Sequence, residues 1–143
     1  MSQYCTFSLD GHVFGVPVSS VQEVLRSQDL TTVPLAPTEI AGLLNLRGQI
    51  VTSLELRARL GLPPRDPDAP AVNVVVKTAD GGAVSLVVDE IGDVLEPSRD
   101  AFEVPPDTVP ASIRSLVTRV CKLDGALMLL LDAARAVEVP VAS

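Results

Sequence analysis

Four short turn signals divide this chain and limit what it can fold into. They are Asp10-Gly11, Arg47-Gly48, Asp80-Gly81-Gly82 and Asp124-Gly125. Glycine in such pairs accepts the positive φ of a tight hairpin, and a preceding Asp strengthens the signal. Arg47-Gly48 is a weaker version of the same device. Short apolar runs flank each turn, so the chain reads as a set of β-hairpins.

The hairpins repeat. Gly11-His12-Val13-Phe14-Gly15-Val16-Pro17-Val18 and Gly82-Ala83-Val84-Ser85-Leu86-Val87-Val88-Asp89 each begin at a turn glycine and continue as a strand. Val21-Gln22-Glu23-Val24-Leu25 follows the first, and Ile91-Gly92-Asp93-Val94-Leu95 follows the second. Gly48-Gln49-Ile50 has a counterpart in Gly125-Ala126-Leu127, with Leu54-Glu55 and Leu131-Asp132 at matching places beyond. An offset of about 70–77 residues is the self-similarity that marks a structural unit used twice.

Within the units, Cys5, Phe7 and Leu9 alternate with Tyr4, Thr6 and Ser8, and Phe14, Val16 and Val18 are expected inward on the partner strand. Val72, Val74 and Val76 share one phase while Val75 sits in the other, which predicts a strand covered on both faces. Residues 113–121 fit a helical stripe or a strand; the repeat and the Asp124-Gly125 turn favour a strand from about Leu116. Short helices are expected from Leu54 to Leu60, ended by Gly61 and Pro63-Pro64, and from Asp132 to Val137. Ser20-Val21-Gln22-Glu23 has capping-box spacing and predicts one helical turn. Residues 63–70 carry four prolines and read as the crossing between halves, with 1–62 mainly a first barrel and 71–143 mainly a second. The expected fold is mainly β: two five-stranded β-barrels packed together, each with a short helix.

Composition excludes several functions. The hydrophobic fraction of 47% argues against wholesale disorder, and with aromatics at 3% the core must be filled by Val and Leu. Eighteen acidic against eleven basic residues leave a net charge of −7, the wrong sign for a nucleic-acid surface. No apolar run is long enough to span a bilayer, and no secretory leader is visible, so a cytosolic protein is expected. Cys5 and Cys121 read as small buried hydrophobes.

Chemistry is hard to find. His12 is the single histidine and flanks a turn. No metal-ligand spacing, nucleophile elbow or phosphate loop is present, so neither catalysis nor a cofactor is expected. Asp89-Glu90 and Asp66 with Asp68 are read as solvated charge. What remains is the segment from Gly42 to Arg57. Leu44, Leu46 and Ile50 are expected on one face of its hairpin and Asn45, Arg47 and Gln49 on the other. Arg47 is either a fork for carboxylate recognition or a surface arginine paired with an acid such as Glu23.

The same residues resemble the CheW family, coupling proteins of chemotaxis-type signalling. Asn45-Leu46-Arg47-Gly48-Gln49-Ile50-Val51 resembles its Asn-Leu-Arg-Gly-x-Ile-Val signature, and Leu54-Glu55-Leu56-Arg57 its Val-Asp-Leu-Arg continuation. Val21-Gln22-Glu23-Val24-Leu25-Arg26 and Val87-Val88-Asp89-Glu90-Ile91-Gly92-Asp93-Val94 resemble two further segments, in family order. The resemblance implies two SH3-like barrels and an adaptor joining a histidine kinase to methyl-accepting receptors. One barrel edge would dock on the kinase's CheW-like regulatory domain, and the receptor's cytoplasmic tip would lie in a groove between barrels. Glu23 and Arg47 would shape the functional face, with Asn45 and Gly48 fixing the hairpin. Val24 and Leu25 would lie at the kinase-facing edge, and Val88, Ile91 and Val94 near the groove. Recruitment to receptor clusters at the membrane or the nucleoid would follow. Thr52-Ser53 stand where the family has Pro followed by Ile or Val, and Glu55 where it has Asp. That departure raises an alternative: a CheW-like protein that binds receptors without recruiting or activating the kinase.

Overall fold

All four turn signals close hairpins in the computed structural model, which describes residues 2–26 and 28–138. The first joins β1 (Tyr4–Leu9) to β2 (His12–Pro17), with Leu9 opposite His12. β3 (Val21–Arg26) follows a 3-10 turn over Val18–Ser20. The second hairpin joins β4 (Ile40–Leu46) to β5 (Gln49–Glu55), and α1 (Leu56–Arg59) comes directly after. The third joins β6 (Val72–Lys77) to β7 (Ala83–Val88), and β8 (Glu90–Leu95) follows. A two-residue β9 (Phe102–Glu103) and α2 (Ala111–Arg114) precede the last hairpin, β10 (Val117–Leu123) and β11 (Ala126–Leu131), which leads to α3 (Ala133–Ala136).

Two sheets result, in the orders β3-β6-β7-β5-β4 and β8-β1-β2-β11-β10-β9. The repeat equates β1 and β2 with β6 and β7, β3 with β8, and β4 and β5 with β10 and β11. Substituting these equivalents turns the first order into β8-β1-β2-β11-β10, which is the second sheet without β9. The two SH3-like barrels are therefore the same unit, but each takes its first hairpin from the other half of the chain. The exchanged hairpins meet their hosts through a parallel pair on one side, β2 with β11 and β7 with β5, and an antiparallel pair on the other, β1 with β8 and β6 with β3. Parallel neighbours need a long connection, which an intervening set of strands supplies.

This exchange moves the crossings. Residues 63–70 link α1 to β6, and β5 and β6 belong to the same five-stranded sheet. The chain passes between sheets instead at Val18–Ser20, from β2 to β3, and at Asp89, from β7 to β8. Hydrophobic alternation marks strands but carries no information about which sheet a hairpin joins, so residues 63–70 link strands of one sheet and are not the crossing between barrels that their prolines suggest.

The larger core lies between the sheets. Phe7, Phe14 and Leu129 from one pack with Val74, Leu86 and Val88 from the other, and Leu56, Ile113 and Ala136 of the three helices close its rim. The rings of Phe7 and Phe14 stack at 6.0 Å. A smaller cluster of Leu44, Leu46, Val51 and Val75 fills the five-stranded barrel. β6 is buried on both faces, as its unbroken apolar run predicts, because Val74 and Val76 join the larger core and Val75 the smaller. Burying a Val or Leu side chain contributes about 1.5–3 kcal/mol, so with few aromatics the stability rests on many modest terms.

Local expectations divide. α1 ends as its sequence requires: Gly61 takes φ +71°, its N–H donates to the Ala58 carbonyl at 3.2 Å, and the Leu62 N–H donates to the Arg57 carbonyl at 2.8 Å. Asp132 caps α3 by accepting the Arg135 N–H at 3.2 Å. Leu116 lies just before β10, and residues 111–114 before it are helical, so segment 113–121 is both things in succession. The capping-box reading fails, since Val21 already begins a strand. Val18 is 36% exposed rather than inward, because Pro17 ends the strand and the chain turns there. Thr6, placed outward by alternation, is buried and satisfies its hydroxyl by donating to the Asp93 carbonyl at 2.6 Å. Cys5 and Cys121 are buried free thiols, and burial raises the pKa of each.

Candidate functional site: the Arg47 hairpin

The β4–β5 hairpin is a two-residue turn in which both Arg47 (φ +51°) and Gly48 (φ +87°) are left-handed. That geometry matches the right-handed twist of the flanking strands. For Gly48 it is easy; for Arg47 it is strained, because Cβ crowds the backbone. The turn is held from inside by Asn45, whose Oδ1 accepts the Gly48 N–H at 3.0 Å. It is held from outside by Glu23. Arg47 Nη1 donates to Glu23 Oε1 at 3.0 Å and Nη2 to Oε2 at 2.6 Å, a two-pronged pair.

The pair joins the two edges of one sheet. Glu23 lies on β3 and Arg47 at the end of β4, the outermost strands of the five-stranded order. Hydrogen bonding to Glu23, then its charge, raises the Arg47 pKa, so the guanidinium stays cationic. The Arg47 side chain is 70% exposed and that of Glu23 only 21%. Glu23 therefore orients, and Arg47 presents its remaining N–H groups to solvent.

The register changes one part of the expected face. Leu46 pairs with Gln49, Asn45 with Ile50 and Leu44 with Val51. A two-residue turn makes even positions face odd ones, so Ile50 shares the outer face with Asn45, and Val51 turns inward beside Leu44. Ile50 is accordingly 61% exposed and Val51 1%. Alternation carried straight through the turn puts Ile50 with Leu44 and Leu46, and the register overturns that. The signal lay in the sequence: a turn of two residues inverts the parity.

The other expected site residues scatter. Val24 is 40% exposed on edge strand β3, and Leu25 is half-buried against the smaller cluster. Val94 is 56% exposed on β8, the equivalent edge of the other sheet, and Ile91 is half-buried against the larger core. Val88 is wholly buried in that core and so cannot meet a partner. Thr52 is half-buried and Ser53 completely buried, opposite Ser85 in the parallel pair of β5 and β7. The Ser53 departure is thus inside the barrel rather than on a docking surface.

Asp89, expected as solvated charge, instead forms the centre of a second polar cluster. Asp89 Oδ1 accepts from Arg57 Nε and from Arg65 Nε, each at 2.9 Å, and Oδ2 accepts from Arg57 Nη2 at 2.6 Å and from the Asp10 N–H at 2.9 Å. Arg65 also donates to Glu55 Oε2 at 2.9 Å. Burial alone would raise the Asp89 pKa, but the hydrogen bonds from Arg57, Asp10 and Arg65 together lower it to about 2. No local spacing announces this cluster, since its members come from a turn, a helix, a loop and a strand crossing. Among the described residues no group of His, Cys, Asp or Glu is arranged to hold a metal, and no helix is long and apolar enough to cross a membrane.

A model of the CheW-like domain family matches residues 3–140. The chain is 28% identical over 126 residues to a probable chemotaxis protein CheW of Rhizobium etli, covering 88% of this chain and 81% of that protein. It is 27% identical over 127 residues to the chemotaxis protein CheW of Bacillus subtilis, covering 89% and 81%. Its fold superimposes on the crystal structure of the scaffolding protein TtCheW from Thermoanaerobacter tengcongensis with a TM-score of 0.85 and 26% identity, over 96% of this chain and 93% of that one. With the repeated barrel, the signature hairpin and a family match across almost its whole length, this chain belongs to the CheW-like domain family.

Proposed function

We propose that this protein is a non-enzymatic scaffold that couples a chemotaxis-type histidine kinase to methyl-accepting receptors. The observation that carries the reading is the Arg47 hairpin. Family signature residues converge there into a strained, externally braced turn that does no work for the core. Strain held in place by Asn45 and Glu23 is the kind kept where a surface must be presented in one shape. The named relatives and the TtCheW scaffold support the coarse role. In this reading Arg47, Glu23, Val24 and Ile50 present the five-stranded barrel to the kinase's CheW-like domain, with Leu25, Asn45 and Gly48 holding their shape. Val94 and Ile91, on the other barrel, lie toward the receptor tip. Helix-in-groove docking of the receptor hairpin needs only such apolar residues on preformed edges.

The test is reconstitution of kinase autophosphorylation with receptor-bearing membranes. Addition of this protein is expected to raise the autophosphorylation rate and to co-sediment kinase with receptor. Co-sedimentation with receptor alone, without kinase recruitment, would favour the receptor-only alternative. With Ser53 in the core, the motive for that alternative rests on Thr52 alone.

A further inference from the structure

The six-stranded barrel carries a cleft that the coupling role does not use. Tyr4 of β1 and Phe102 of β9 meet across its mouth, ring centres 5.4 Å apart and planes tilted by 55°. On β10 and β11, Cys121 and Met128 are fully buried. A Cβ added at Gly15 would lie 2.6 Å from the Met128 sulfur, so Met128 packs directly against the β2 backbone. The cleft's volume is about 370 Å³, and it is lined by Tyr4, Pro97, Phe102 and Leu130 with Arg99 and Arg119. That size is at the small end of ligand sites, room for a side chain rather than a large cofactor.

The charges at the rim identify the occupant. Ion pairs engage Arg47, Arg57, Arg65, Arg114, Lys122 and Arg135. Arg59 is spent on the carbonyls of Arg135 and Ala136. Among the described residues Arg26, Lys77, Arg99 and Arg119 are in none of these ion pairs, and of these Arg99 and Arg119 line the cleft, while Glu103 beside Phe102 is paired with Lys122 at 3.6 Å. On a chain of net charge −7, two guanidiniums outside these ion pairs border one apolar cleft. Complementarity then requires an anionic partner with an apolar group between its charges.

We propose that this cleft binds an acidic peptide segment. A leucine or aromatic side chain sits against Tyr4, Phe102 and Leu130, and flanking carboxylates pair with Arg99 and Arg119. The site shares no residue with the surfaces assigned to kinase or receptor, so it stands or falls independently of the coupling role.

The probe is a fluorescent hexapeptide with a central leucine–phenylalanine pair flanked by glutamates, titrated into the full chain and followed by anisotropy and by amide chemical shifts. Saturable binding with shifts at Tyr4, Phe102 and Leu130 is expected. The double variant Arg99→Glu/Arg119→Glu should bind at least about 10-fold more weakly and should prefer the lysine-flanked version of the peptide. Both arginines are exposed, so an unchanged thermal transition certifies the variant's fold. Absence of shifts at the cleft, or equal affinity in the double variant, would overturn the proposal. Equal binding of a glutamate peptide with serines at its centre would overturn it as well, by reducing the site to a nonspecific anion contact.

Discussion

Arg57 Nη2 lies 2.6 Å from Asp89 Oδ2, where the chain passes from the five-stranded to the six-stranded sheet. Arg57 belongs to α1 of one barrel, and the Asp10 N–H that shares the same carboxylate oxygen belongs to the first hairpin of the other. Arg65 adds the loop after α1. One carboxylate thus ties the crossing to both barrels and to the proline-rich loop.

Replacing Asp89 by Asn should therefore destabilise the whole chain rather than one barrel. The Arg57 and Arg65 side chains are only 12% and 10% exposed, so losing the carboxylate leaves Arg57 without its ion-pair partner and Arg65 with Glu55 alone. A cost of about 2–3 kcal/mol is expected, read as a lowered urea midpoint in a single transition. A change below about 0.5 kcal/mol would show that the cluster is peripheral.

The same carboxylate predicts an acid limb. Its pKa is about 2 in the native state against an ordinary 3.8, so the unfolded chain takes up the proton first. Stability from this group is complete above about pH 3.8 and is lost as pH falls through about 2. Because a fifth of the side chain stays in water, the loss should be about 1–2 kcal/mol rather than the full equivalent of the shift. Denaturant curves at pH 5 and pH 2 should differ more for the native protein than for Asp89→Asn; parallel losses would remove Asp89 from the account.

The register of the signature hairpin can be checked with neighbouring substitutions. Ile50→Asp should change stability by no more than about 0.5 kcal/mol, since the residue faces solvent. Val51→Asp should cost more than about 3 kcal/mol or prevent folding, because it puts a carboxylate into the smaller core. Circular dichroism melts of the two proteins distinguish them, and the reverse ranking would refute the pairing of Asn45 with Ile50.

Arg47 separates architecture from recognition. Arg47→Gly removes the ion pair but suits the left-handed turn, whereas Arg47→Ala removes the pair and keeps the strain. Arg47→Gly should melt within about 3 °C of the native protein and above Arg47→Ala. Both should lose kinase or receptor affinity by about 10-fold. Full affinity in Arg47→Gly would reduce the arginine to an ordinary surface residue.

Leu35, like Arg47 and Asp10, is a non-glycine residue with positive φ. It takes φ +62° with its side chain fully exposed, in a turn closed by the Ala36 N–H donating to the Val33 carbonyl at 3.3 Å. Pro34 sets the turn, and the next position favours Gly or Asn. Leu35→Asn should stabilise the chain by about 0.5–1 kcal/mol, seen as a higher melting temperature; a lower one would mean that the leucine packs in solution.

Sequence by itself determined the strands, the hairpin turns, the helix stop at Gly61 and the repeat. The turns, strands and helix stop are set by φ preferences and alternation within a few residues, and the repeat is the recurrence of those local patterns. It also determined the chemistry of the Arg47 hairpin, because Asn45, Arg47 and Gly48 act within one turn, and Glu23 was nameable as the acid beside it. Tertiary structure decided which barrel each hairpin joins, since a strand's pattern is the same whichever sheet accepts it. It decided that Val88 and Ser53 face the core and Ile50 the solvent, because burial depends on what packs across from a residue and on the parity of its turn. And it decided that Asp89 is a clamp rather than solvated charge, because Asp10, Arg57 and Arg65 become its neighbours only when the exchanged first hairpin and α1 meet at the Asp89 crossing.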